Sequence, residues 1–275
     1  MELSGKQCLV TGASSGLGFA VSKALAQKGA SITMLCRDQK KSESMIRDIK
    51  RETSDASIEL MICDLASMQS IRQFIEDFRA NRSRLDILFN NAAVMKRTRT
   101  VSQDGFELMF QVNYLAPFIF MNAFIGLLQN SSSSQVINIS RPSHKLRLEF
   151  DDLQFSQNYS MYNSFFATKL YLLFASLEFA RRHDEDGITT LLVDPGPFKS
   201  RLVREIPLIG WLKNLISAPV THAADNVLYL MTSDVIKNKN GKVFKEKQEW
   251  PLSEYWKDTK TGERLWSLTE SLINC

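Results

Sequence analysis

Short apolar runs alternate along the chain with longer stretches in which apolar residues recur at helical spacing. The pattern predicts strands at Gln7–Val10, Ser31–Leu35, Glu59–Cys63, Leu85–Phe89, Gln135–Ile139 and Thr189–Val193, with a last one at Lys242–Phe244. Between them it predicts helices at Phe19–Gln27, Gln39–Arg51, Ser67–Arg79, Phe106–Leu128, Ser164–Arg182 and Val220–Met231. Such alternation specifies a mostly parallel sheet covered on both faces. Right-handed crossovers then make the strands wind both ways from the centre. Ser131–Ser134 is too short a polar stretch to divide domains, and no internal repeat occurs. The expectation is one α/β domain over residues 1–275, a Rossmann-type doubly wound parallel sheet with helices on both faces and a lid at about 197–219.

Composition narrows the partners. Apolar residues are 44% and charged residues 23% of the 275, ordinary for a globular chain with a large core. The net charge of +4 is small and the basic residues are scattered, so no nucleic-acid footprint is expected. Of the four cysteines, Cys8, Cys36 and Cys63 sit in short apolar runs, and no pair has metal-ligand spacing. No metal site is expected. A strand-like run begins at Cys8, which leaves no room for a signal peptide, and no stretch is long and apolar enough to span a bilayer. A cytoplasmic protein is expected, with peripheral contact to a membrane left open.

The first strand runs into Thr11-Gly12-Ala13-Ser14-Ser15-Gly16-Leu17-Gly18 and then a helix. Glycines in a strand-to-helix turn let the backbone approach a pyrophosphate, and the helix N-terminus offers it free N–H groups. The second strand ends Cys36-Arg37-Asp38. An arginine at this place accommodates a 2′-phosphate, so NADP(H) is favoured over NAD(H). Alternatively Arg37 is a solvated charge and Asp38 a helix cap. Other strand ends fall on the same side: Asp64-Leu65 for the adenine, Asn90-Asn91-Ala92-Ala93, and the rigid turn Asp194-Pro195-Gly196-Pro197 beneath the nicotinamide.

In order and spacing, TGASSGLG, CRD, CDL, NNAAV, VNYLAPF, VINIS, ATK and DPGPFKSRL resemble the short-chain dehydrogenase/reductase family over almost the whole chain. The detail, with GKVF and ERLWSLTESL near the C-terminus, is similar to its retinol-dehydrogenase-like branch. The resemblance implies an NADP(H)-dependent oxidoreductase with catalytic Asn, Ser, Tyr and Lys. Asn113 and Lys169 match two of these, and the lysine also holds the nicotinamide ribose. The other two positions are substituted: Phe165 stands where the tyrosine belongs and Arg141 where the serine belongs.

In such enzymes the tyrosine hydroxyl protonates the developing alkoxide and the serine hydrogen-bonds the carbonyl oxygen. Loss of a general acid costs about 10²–10⁴-fold in rate and loss of an oxyanion donor about 10²–10³-fold, not independently. Tyr162, one helical turn before Phe165, is a substitute donor to consider, as are Ser143, His144 and a cationic Arg141. Arg141 could equally fill the substrate space. Asn113 is also suited to stabilise a local break in the long helix.

The segment Ile206-Pro207-Leu208-Ile209-Gly210-Trp211-Leu212 is apolar, as expected of a lid over a hydrophobic small molecule, of a membrane-contacting surface, or of a lid packed on its own core. The expected function is NADP(H) binding with impaired catalysis. The alternative is an active oxidoreductase on a hydrophobic alcohol or carbonyl with a rearranged donor, and a module that has lost the cofactor is the third reading. The resemblance suggests a homodimer or a tetramer through the helices around Phe106–Leu128 and Ser164–Arg182, with a monomer as the alternative.

Overall fold

The apolar runs become the strands of one sheet in the computed structural model, which describes residues 3–53, 56–199, 202 and 218–273. In chain order these are β1 (Gln7–Thr11), β2 (Ser31–Cys36), β3 (Ile58–Ile62), β4 (Ile87–Asn90), β5 (Ser134–Ile139), β6 (Ile188–Asp194), β7 (Lys242–Lys245) and β8 (Gln248–Glu249). Their spatial order is β3-β2-β1-β4-β5-β6-β7-β8. All pairs are parallel except β7 with β8. The order reverses between β1 and β4, which opens a crevice at their carboxyl ends.

The helices are α1 (Gly16–Gln27), α2 (Gln39–Glu52), α3 (Met68–Ala80), α4 (Leu108–Phe110), α5 (Ala116–Ala123), α6 (Ile125–Gln129), α7 (Met161–Arg182), α8 (Val220–Thr232) and α9 (Thr259–Ile273). Two apolar cores lie on opposite faces of the sheet. One joins Leu17, Val21 and Leu25 of α1 to Val227 and Leu230 of α8 over Val10, Met34 and Phe89. The other joins Phe74 of α3, Phe118 and Phe120 of α5, Leu170 and Phe174 of α7, and Trp266 of α9 over Leu9, Leu88 and Val136.

Three predicted elements are corrected, one of them simply by its start: the helix expected from Ser164 begins at Met161. The single helix expected over Phe106–Leu128 is four pieces, because a π-turn at Gln111–Leu115 interrupts it and a further break at Phe124 separates α5 from α6. Asn113 sits in that π-turn and explains it. Its Nδ2 donates to the Val94 carbonyl at 2.9 Å, and Val94 N–H donates to its Oδ1 at 2.8 Å. The side-chain amide thus serves as an extra rung between the helix and the segment after β4. The helix expected from Phe19 starts at Gly16, with Ser15 in extended conformation before it. The sequence pattern did not predict β8 or α9. α9 docks through Trp266 on Phe118, ring centroids 4.6 Å apart.

Candidate functional site

A cavity of about 590 Å³ opens at the carboxyl ends of the strands. Its floor is the turn from β1 into α1, and the two outer glycines of that turn have different work from the middle one. A Cβ on Gly12 would lie 2.9 Å from Ala92 Cα, and one on Gly18 would lie 2.5 Å from the Gly12 carbonyl oxygen. These glycines bring α1 and the end of β4 against β1. Gly16 has φ +56° and open space where a side chain would be. It therefore supplies the left-handed backbone and an unblocked approach to the helix N-terminus.

The turn is braced from the side. Asn91 Nδ2 donates to the Thr11 carbonyl at 2.9 Å, while the Asn91 and Ala92 N–H groups donate to Thr11 Oγ1 at 2.9 and 3.0 Å. Asn91 thus ties the end of β4 to the start of the glycine turn, and its role is structural as well as lining.

Of the expected cofactor-site residues, Gly12, Ser14, Ser15, Gly16, Leu17, Arg37, Asp64, Leu65, Asn91, Ala92, Lys169, Pro195 and Gly196 all line the cavity. Gly18 does not, because it is packed under Gly12. Asp38 caps α2 by accepting from Lys41 N–H at 3.0 Å; both it and Arg37 are exposed and line the cavity, so the cation at this rim has a carboxylate beside it. Arg37 is exposed and forms no ion pair with the described residues. Lys41 also lines the cavity beside it, a second cation that the sequence pattern did not single out. A basic residue in the first turn of a helix carries no marker of its own, and only the packing of α2 against the strand end brings it to the rim. Cys36 and Cys63 line the cavity too. Burial raises both thiols, Cys63 to about 11, so neither is a ready thiolate.

The four positions expected to be catalytic separate. Lys169 is 4% exposed, and its Nζ donates to the Ile139 carbonyl at 3.0 Å. Burial without a carboxylate partner lowers its pKa to about 8. Phe165 is nearly buried, with the Lys169 Nζ 5.8 Å from its ring centroid. It belongs to a small apolar cluster with Met95 and Met109, against which Val94, Tyr159, Phe166 and Leu202 pack. Asn113 is fully buried and does not line the cavity; its amide is engaged by Val94 and by Thr168 Oγ1 at 3.3 Å.

Arg141 lines the cavity with its guanidinium held on one side. Its Nε lies 3.1 Å from both Asp194 carboxylate oxygens and one terminal nitrogen lies 3.0 Å from Oδ1. The same Oδ1 accepts the Gly196 N–H at 3.0 Å. Arg141 is therefore a brace across the ends of β5 and β6, fixing the Asp194-Pro195-Gly196 turn. The adjacent Ser140 hydroxyl donates to the Lys169 carbonyl at 2.8 Å, which turns it into the helix.

The substitute donors considered from the sequence fall elsewhere. Tyr162 is 41% exposed and does not line the cavity, because its place in the first turn of α7 directs it outward. Ser143 accepts the Lys145 N–H in a turn, and His144 stacks on Trp256 with centroids 3.9 Å apart. The phenol that does pack with Phe165 is Tyr159, whose hydroxyl donates to the Lys96 carbonyl at 2.7 Å. It lies before the helix, so helical spacing from Phe165 could not have found it. The apolar lid segment Ile206–Leu212 lies outside the described residues.

Among the described residues no group of histidines, cysteines and carboxylates is placed to hold a metal. No described helix is long and apolar enough to cross a membrane.

Comparison with known proteins agrees with this geometry. Residues 6–208 match the family described as short chain dehydrogenase. Human retinol dehydrogenase 12 is 34% identical over 278 residues, covering 99% of this chain and 88% of the relative. Human retinol dehydrogenase 13 is 32% identical over 286 residues, covering 98% and 85%. Among solved structures, an uncharacterised protein from Mycobacterium paratuberculosis superposes with a TM-score of 0.81 at 25% identity, covering 99% of this chain and 95% of that one. A metagenomic short-chain oxidoreductase in complex with NADP superposes with a TM-score of 0.65 at 25% identity, covering 84% and 92%.

Proposed function

This chain belongs to the short-chain dehydrogenase family, and from that premise we propose that it binds NADP(H) in the strand-end cavity while being catalytically impaired. The observation that carries the reading is Phe165 beside Lys169, with Arg141 held on Asp194. A hydrocarbon ring and an engaged cation occupy the places from which two hydroxyls would serve a carbonyl.

Binding rests on the chain's own groups. The open face of Gly16 and the N-terminus of α1 suit a pyrophosphate. Arg37 and Lys41 at the rim suit a 2′-phosphate. Asp64 and Leu65 flank the space for the adenine, and Lys169 and the Pro195-Gly196 turn face the nicotinamide end. When bound, the cofactor would supply the hydride. What this chain lacks is a positioned acid to complete the transfer: Phe165 has no proton to give.

The accompanying ligand is a hydrophobic alcohol or aldehyde, as the apolar wall of Val94, Phe165, Phe166 and Leu202 and the names of the relatives suggest. The second reading, an active oxidoreductase, would need Tyr159, which packs against the Phe165 cluster, to turn from the Lys96 carbonyl into a cavity it does not line. Titration with NADPH and NADH, read by tryptophan and nicotinamide fluorescence with and without a panel of hydrophobic aldehydes, tests the proposal. Saturable NADPH binding without oxidation is expected. Rapid oxidation that is lost in Tyr159→Phe would establish the second reading instead.

A further inference from the structure

Replacing a tyrosine by phenylalanine does more than remove an acid. It leaves the neighbouring amine without a hydroxyl partner. Lys169 Nζ lines the cavity, has one hydrogen bond (to a backbone carbonyl), and has an aromatic face on another side. No carboxylate among the described residues pairs with it, and Asp194 of the neighbouring strand end is bound to Arg141 and Gly196. A lysine desolvated against apolar walls is a more available nucleophile than one in water.

We propose that Lys169 is a covalent capture site for a hydrophobic aldehyde, forming an imine at Nζ. The neutral amine attacks the carbonyl carbon, a carbinolamine forms, and water leaves as the C=N bond replaces C=O. No oxidant or reductant is needed. The wall that receives the aldehyde's chain is the apolar cluster of Val94, Phe165, Phe166 and Leu202. The amine's hydrogen-bond acceptor is the Ile139 carbonyl and its aromatic neighbour is the Phe165 ring, and neither competes for the aldehyde.

Burial lowers the pKa of this amine to about 8, so a useful fraction is unprotonated near neutral pH, unlike a surface lysine near 10.4. Capture by this amine excludes the role that the reading above gives it, holding the nicotinamide ribose. Aldehyde and NADP(H) therefore compete for one nitrogen.

The test uses the full chain, all-trans-retinaldehyde as a chromophoric probe, and borohydride to fix any imine, followed by peptide mass spectrometry. Modification of Lys169 at least tenfold above any other lysine is expected, together with the spectral change of an imine. Saturating NADPH is expected to suppress it. Modification spread evenly over surface lysines, or a Lys169 peptide left unmodified in protein shown to be folded by circular dichroism, overturns the proposal. In Lys169→Arg the adduct disappears while the circular dichroism is retained; an undiminished imine signal in that variant would likewise overturn it. Should NADPH fail to bind in a separate titration, the cofactor reading fails alone, and Lys169 is still expected to be labelled, without protection.

Discussion

At Lys169 the cost of burying an ammonium is set against no countercharge. Its ordinary value is 10.5, and burial takes it to about 8 in the fold. Below pH 8 folded and unfolded states both carry the proton, and the fold bears the full penalty, roughly 3–4 kcal/mol. Between about 8 and 10.5 the unfolded state binds more protons, so stability from this group rises with pH until the penalty is gone. Lys169→Met should therefore raise the melting temperature of the cofactor-free protein most at pH 7, with the gain shrinking towards pH 10. A thermal melt at both values checks it; a gain independent of pH would show that the lysine is not desolvated as described. At this scale the sequence was legible where a residue's identity is its function. That Phe165 and Arg141 carry no hydroxyl is read directly, because a hydroxyl is either present or absent. It was not legible where orientation decides: Tyr162 faces solvent, Tyr159 packs inward, and helical spacing speaks only to residues within the helix.

The pair between Arg141 and Asp194 belongs to the scale of elements, because it joins the ends of β5 and β6. The carboxylate is 4% exposed and the guanidinium side chain 36%. Removing the arginine leaves a buried charge with little but the Gly196 N–H. Arg141→Ser should cost about 1–3 kcal/mol, less than a fully buried pair because one partner meets water. Adding Asp194→Asn to that variant should recover part of the loss, since an amide is cheaper to bury than an unpaired carboxylate. Denaturant unfolding of the two variants is the measurement, and equal stability of both would mean that the pair contributes no net charge interaction. Arg141 was foreseen as either a donor to an oxyanion or a space-filler. The pairing was not foreseen because its partner lies on another strand, at a register set by the β5–β6 ladder. The π-turn has the same cause. Asn113 marks a break in the helix, but only its two bonds to Val94 show why the break is stable.

For the whole molecule, the alternation of strands and helices was sufficient to give the doubly wound sheet and the side on which the cavity opens. The C-terminal pieces were not read because β8 is two residues long and α9 is held by packing Trp266 on Phe118 of α5 and Phe179 of α7. The molecular consequence is a site with a basic rim at Arg37 and Lys41, an open glycine turn in the middle and an apolar end at Phe165. Losing one charge-assisted contact to phosphate costs about 1.5–3 kcal/mol, or roughly 10–100-fold in affinity. Arg37→Ala should weaken NADPH binding by about that factor and leave NADH nearly unchanged, as paired fluorescence titrations would read. Equal loss for both nucleotides would mean that Arg37 does not meet the 2′-phosphate.

A scaffold that holds the cofactor without its proton donors should bind NADPH yet turn it over slowly. The most direct measurement is the rate of NADPH oxidation by excess protein with a hydrophobic aldehyde, run side by side for the natural chain and for the triple variant Phe165→Tyr, Arg141→Ser, Asp194→Asn. The natural chain should bind NADPH and oxidise it at least about 10²-fold more slowly than the variant in which the hydroxyls are restored. Oxidation by the natural chain as fast as by the restored one would contradict it.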